Sequence, residues 1–155
     1  MRSVFFLVCV AALVDAPAAA QLPVETAQNQ PALLDGADAA LAANKKLVFD
    51  FWRVVRQAHH TDRAAEYLAE DFVEHDPMDR ALLVESVSRP PSRPIKPTID
   101  DLVTIVAERD LVVLAFRREL LDLENEGQTY TTTGFDLFRV ANGKIVEHWS
   151  YGTKD

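Results

Sequence analysis

Cysteine is almost missing from this chain: the one thiol, Cys9, lies within the first twenty residues. If those residues are removed on export, nothing remains for a disulfide, a thiol nucleophile or a thiolate metal site. Glycine is scarce as well, with five in 155 residues. There is accordingly no Gly-rich loop to cradle phosphates and no G-x-S-x-G elbow for a serine nucleophile. Basic charge is in deficit, 16 Lys and Arg against 24 Asp and Glu. A net charge of −8 argues against nucleic acid, whose phosphates require a basic face, and disfavours an anionic membrane surface. The four histidines, His59, His60, His75 and His148, include no pair four apart on a helix. No metal and no cofactor are therefore expected.

A long hydrophobic run is also lacking. The apolar stretch 4–14 is shorter than the roughly 20 residues needed to span a bilayer. With Arg2 before it and Ala18-Ala19-Ala20 after it, it reads as a signal peptide over 1–20, cleaved before Gln21. The expected destination is the periplasm or the exterior, with no membrane insertion after cleavage. Residues 21–37, rich in Gln, Pro, Asn and Ala, read as a flexible leader.

What is present suits one domain over 38–155, with hydrophobic residues at 48% and charged residues at 26%. Leu47, Val48, Phe51, Trp52, Val55 and Ala58 recur at helical spacing within a helix over 44–58. Thr61-Asp62 signals a short second helix to Leu68, and 69–77 reads as extended or turning. Asp79 caps an expected helix over 80–87, and a proline-rich connector fills 89–97. Segments 99–107, 111–121, 128–140 and 144–151 are rich in β-branched and aromatic residues and are separated by turn signals. Helices followed by an antiparallel meander make an α+β fold with the helices on one face of a curved sheet.

The C-terminal hairpin, FDLFRVANGKIVEHWS, holds Asp136 and His148 among apolar residues. A two-residue turn at Asn142-Gly143 would set Asp136 opposite Trp149, whereas a three-residue loop would set it opposite His148. In either register Phe138 shares the face of Asp136, so a carboxylate beside apolar neighbours is expected. It either faces water or points into a pocket. His75, between Phe72-Val73 and Pro77, is a turn histidine or a second pocket residue.

Phe72-Val-Glu-His-Asp-Pro77 and the hairpin from Phe135 to Trp149 resemble the two signatures of the SnoaL-like polyketide cyclase family, within the nuclear transport factor 2-like superfamily. The helix around Phe51-Trp52 and the turn at 107–113 fit the same pattern, so the resemblance extends from about Ala43 to Tyr151. It implies a cone: a strongly bent antiparallel sheet with N-terminal helices packed on its concave face, around a deep, mostly apolar pocket. It places Asp136 and His75 as catalytic groups. His148, Trp149, Trp52 and Phe138 become substrate-binding residues, and the chain a homodimer through its open sheet face. Ser150, where relatives often carry an acidic residue, and the prolines between 77 and 97 depart from the pattern.

The implied function is cofactor-independent acid–base chemistry of isomerase, cyclase or aldol type on a small hydrophobic carbonyl compound. A carboxylate desolvated in an apolar pocket suits proton transfer near neutral pH. The alternative is a non-catalytic domain, used for binding a small apolar ligand or for dimerisation. Convergence of Asp136 and His75 in one pocket would separate the two.

Overall fold

Helix α2 begins where Asp38 accepts hydrogen bonds from the backbone N–H groups of Ala40 (2.8 Å) and Leu41 (3.1 Å) and runs over Ala39–Phe51. It starts before the expected position 44, because the first turns are alanine-rich and show no apolar period. The computed structural model describes residues 24–76, 92–123, 125 and 127–150. The expected signal peptide, the expected helix over 80–87 and Tyr151 lie outside the described residues. From Trp52 to Gln57 the helix widens into a π-helix, in which the Ala58 N–H reaches back to the Arg53 carbonyl at 3.1 Å. A 3-10 helix, Thr61–Glu66, follows.

The sheet has five strands: β1 Leu68–Glu74, β2 Leu102–Glu108, β3 Leu111–Leu121, β4 Thr129–Ala141 and β5 Lys144–Ser150. Their spatial order is β1-β5-β4-β3-β2. The meander from β2 to β5 is antiparallel, but β1 joins β5 in parallel at the edge, so the sheet is mixed and not closed. The chain can add β1 in parallel because the long path through β2 to β4 brings β5 back alongside it.

Val48, Phe51 and Val55 of the helix bury their side chains against Leu102, Val112, Leu114, Phe138 and Ile145 on the concave face. Stripe and sheet thus form one core. The expected flexible leader is docked over its described part. Helix α1, Gln30–Leu34, is tied to the loop before β2 by a buried amide pair. Gln30 Nε2 donates to the Ile99 carbonyl at 2.7 Å, and the Ile99 N–H donates to Gln30 Oε1 at 2.8 Å. The Ala27 N–H meets the Leu102 carbonyl, and Leu33 and Leu34 pack on the core. A polar composition concealed this, because one glutamine satisfies two buried backbone groups at once.

Candidate functional site

Asn142 and Gly143 both take positive φ, 53° and 71°, in a two-residue turn with Ala141 paired to Lys144. The register then slips between Arg139 and Val140, where Ile145 and Glu147 pair with successive residues of β4 and Val146 is the extra one. Beyond this bulge Phe138 faces His148 and Asp136 faces Ser150. Neither expected register holds, yet Asp136 and His148 share the concave face, diagonal to one another.

There they form a buried chain. His148 Nε2 lies 3.1 Å from Asp136 Oδ1, and His148 Nδ1 lies 2.8 Å from Glu74 Oε1. His148 and Asp136 are each 2% exposed, and Glu74 is 6% exposed. The His148 ring stacks on Phe138 at 4.4 Å. Glu74 is held further by the Asp76 N–H at 3.0 Å. A neutral imidazole has one N–H and cannot donate to both carboxylates, so two ionised partners call for an imidazolium. Burial pushes the His148 pKa down, but the hydrogen bonds to Asp136 and Glu74 and their negative charges outweigh it and hold it above the ordinary value.

The far side of Asp136 opens into a cavity of about 550 Å³. Trp52, Arg56, Asp76, Arg118, Tyr130, Thr132, Gly134 and Ser150 contribute to its wall. Asp136 Oδ2 is buried and has no hydrogen-bond partner among the described residues. Arg118 Nη2 is 3.7 Å from it, within ion-pair range but too long for a hydrogen bond. Ser150 Oγ donates to Asp76 Oδ2 at the same wall. The π-helix supplies Trp52 and Arg56 together, with the guanidinium 5.4 Å from the indole ring. Trp52 in turn rests on Phe116 at 4.7 Å. Widened helical turns of this kind often re-aim side chains into sites.

Of the expected site residues, Asp136 and Trp52 line this cavity. His148 stands behind Asp136, and Phe138, fully buried, belongs to the core beneath it. His75 and Trp149 are placed elsewhere, which corrects the expected convergence of His75 with Asp136 and removes that argument for catalysis, so a proton-transfer reading rests on Asp136 without His75. Glu74 takes the inward direction on β1, so its neighbour His75 turns outward. Its Nε2 lies 3.2 Å from Glu147 Oε2, and its ring stacks on Trp149 at 4.7 Å, on the convex face. Glu74, Asp76 and Arg118 escaped the sequence reading. Glu74 and Asp76 were legible in principle, since alternation along 72–76 gives Glu74 and Asp76 one face.

Among the described residues no group of three or more His, Cys, Asp or Glu side chains is arranged to hold a metal ion, and both nitrogens of His148 are committed to carboxylates. Residues 48–148, about two thirds of the chain, match the SnoaL-like domain. The chain belongs to the SnoaL-like domain family.

A candidate SnoaL-like polyketide cyclase from Jannaschia sp. CCS1 is 17% identical, with 76% of this chain and 91% of that one covered and a TM-score of 0.45. A candidate polyketide cyclase from Acidithiobacillus ferrooxidans is 15% identical, with 75% and 89% covered and the same TM-score of 0.45. TsrD from Streptomyces laurentii is 16% identical, with 74% and 90% covered and a TM-score of 0.40. Likeness at this level assigns no activity to this chain. No curated protein matches it.

Proposed function

We propose that the concave cavity takes a small, largely apolar carbonyl compound and that Asp136 moves a proton at the carbon next to its carbonyl. The observation that carries this reading is Asp136 Oδ2, buried, without a hydrogen-bond partner among the described residues, and at the wall of a cavity of about 550 Å³. A buried acceptor left unmet is costly, and a ligand that brings an acidic hydrogen relieves that cost. In the step, the α C–H bond breaks and its proton passes to Asp136 Oδ2. The bonding pair moves into the C–C bond and shifts the carbonyl π electrons onto oxygen, giving an enolate. Return of the proton at another carbon completes an isomerisation. Alternatively, the enolate carbon attacks a second carbonyl of the same molecule, whose π pair passes to its oxygen, and that alkoxide takes the proton back from Asp136 to complete a cyclisation.

His148 and Glu74 hold Asp136 from behind, leaving Oδ2 to the ligand. The test is exchange of the acidic C1 hydrogens of 2-tetralone in D2O, followed by NMR. Wild-type protein is expected to accelerate deuterium uptake, and Asp136→Asn, which keeps shape but not basicity, to abolish the acceleration. Binding of 2-tetralone without accelerated exchange would favour a carrier or sensor domain instead.

Two further expectations belong to this reading. Export through residues 1–20 predicts a mature N-terminus at Gln21, checked by intact mass of exported protein. A homodimer is proposed through the convex face, where Phe135 and Val106 are 55% and 54% exposed. Light scattering showing a monomer at high concentration would remove the dimer.

A further inference from the structure

Gly134 sits in the middle of β4, a position where glycine normally weakens a strand. Its φ is not in the left-handed region, so no turn demands it. What demands it is Arg118. A Cβ built at Gly134 would lie 2.4 Å from Arg118 Nε, 3.1 Å from its Cδ and 3.2 Å from its Cγ. The pairing shows how this arises: Phe116 faces Gly134, Arg118 faces Thr132 and Leu114 faces Asp136. The Arg118 side chain therefore lies diagonally across β4, over the bare Gly134 backbone. Its guanidinium is 5.7 Å from the Phe116 ring and 3.7 Å from Asp136 Oδ2. A side chain that is 49% exposed has an easy alternative in water. The missing Cβ is what opens the path inward.

We infer that Arg118 is the electrophilic partner of Asp136, its guanidinium donating a hydrogen bond to the carbonyl oxygen of the ligand as that oxygen gains charge, with Gly134 as the cradle that positions it. This rests on the proton-transfer reading of the cavity. The separation of 3.7 Å suits the role. It is too long to spend the guanidinium on the base, and short enough that one carbonyl compound can meet both, its α hydrogen at Oδ2 and its oxygen at the arginine. In the step written above, the carbonyl π pair ends on that oxygen, and Arg118 stabilises the charge while keeping its own proton. The recognised ligand class is thus an enolisable ketone or ester whose reacting carbon is directly bonded to the carbonyl carbon.

The experiment measures 2-tetralone exchange in D2O for the wild type, Arg118→Lys, Arg118→Gln, Gly134→Ala and the Gly134→Ala/Arg118→Gln double variant. Circular dichroism checks the fold of each. Arg118→Gln is expected to lower kcat on the order of 10²-fold, the usual loss for one oxyanion donor, with KM changed far less. Arg118→Lys, keeping charge without the planar fork, is expected to fall between. Gly134→Ala is expected to lower kcat in the wild-type background and to change nothing further once Arg118 is glutamine. If wild-type protein exchanges 2-tetralone and Arg118→Gln keeps its kcat, the inference is overturned while Asp136 stands as the base. An equal effect of Gly134→Ala in both backgrounds overturns the cradle. Absence of exchange by the wild type overturns both the inference and the reading beneath it.

Discussion

The sheet carries two histidine–carboxylate networks back to back on the same strands. On the concave side Glu74, His148 and Asp136 form a chain with His148 stacked on Phe138, all nearly without exposure. On the convex side His75 stacks on Trp149 and meets Glu147, which meets Arg139, which meets Asp110. The chemistry is similar, while the surroundings differ. Outside, the side chains of His75 and Glu147 are 32% and 30% exposed, and water screens each pair. The Arg139 guanidinium holds the Asp110 carboxyl below its usual range through a hydrogen bond made at the surface. Inside, removal of either partner strands a charge in a low dielectric. A sequence rich in polar side chains thus builds a decorated surface and a high-stakes site from the same residue types.

The contrast breaks most visibly at Glu74. Glu74→Ala leaves the His148 Nδ1–H without its acceptor while Asp136 keeps the imidazolium, and is expected to cost about 1–3 kcal/mol. Urea denaturation checks it, and a loss below about 1 kcal/mol would make the inner chain no different from the outer one.

The next effect is in pH. The folded-state pKa of His148 is raised above its ordinary 6.5, so the native chain holds a proton that the unfolded chain loses first. This contribution to stability is complete below about 6.5 and disappears as pH rises through the folded value. Titration of the His148 ring by NMR is expected to show an elevated midpoint, lowered in Asp136→Asn. A midpoint at or under the ordinary value would break the imidazolium assignment.

The smallest effect belongs to the convex side, where Glu147→Ala is expected to cost about 1 kcal/mol or less. It is also expected to leave 2-tetralone exchange unchanged, and a large change in exchange would couple the two faces.

Much of this frame is readable from the residues. The strand over Leu111–Leu121 and the turn at Asn142-Gly143 carry strong local signals, and the helix stripe from Val48 to Val55 predicts the core it makes. The mismatch of Asp136 among phenylalanines leaves two directions open, water or pocket; the family resemblance favours the inward one, and the structure buries the carboxylate at 2% exposure with a partner. What stayed hidden depended on contacts distant in sequence. Glu74 meets His148 across 74 positions, and Gln30 meets Ile99 across 69. Arg118 carries no local signal, because its path depends on Gly134, which stands opposite Phe116 on the next strand. His75 was drawn to the site by its motif, although alternation from Glu74 turns it away.

The bulge at Val146 has a consequence for how such chains diverge. Side-chain direction along β5 is a matter of odd and even positions, and Val146 supplies the one uncounted residue that sends His148 inward and Glu147 outward. A descendant that loses Val146 keeps both networks, since Ile145 and Glu147 would then pair with Val140 and Arg139 in unbroken sequence. A descendant of equal length that pairs position 146 with Arg139 exchanges the networks, even with every residue of the motif intact. In an alignment of related chains, a gap at this position is therefore a conservative event, and a motif match without the bulge is not.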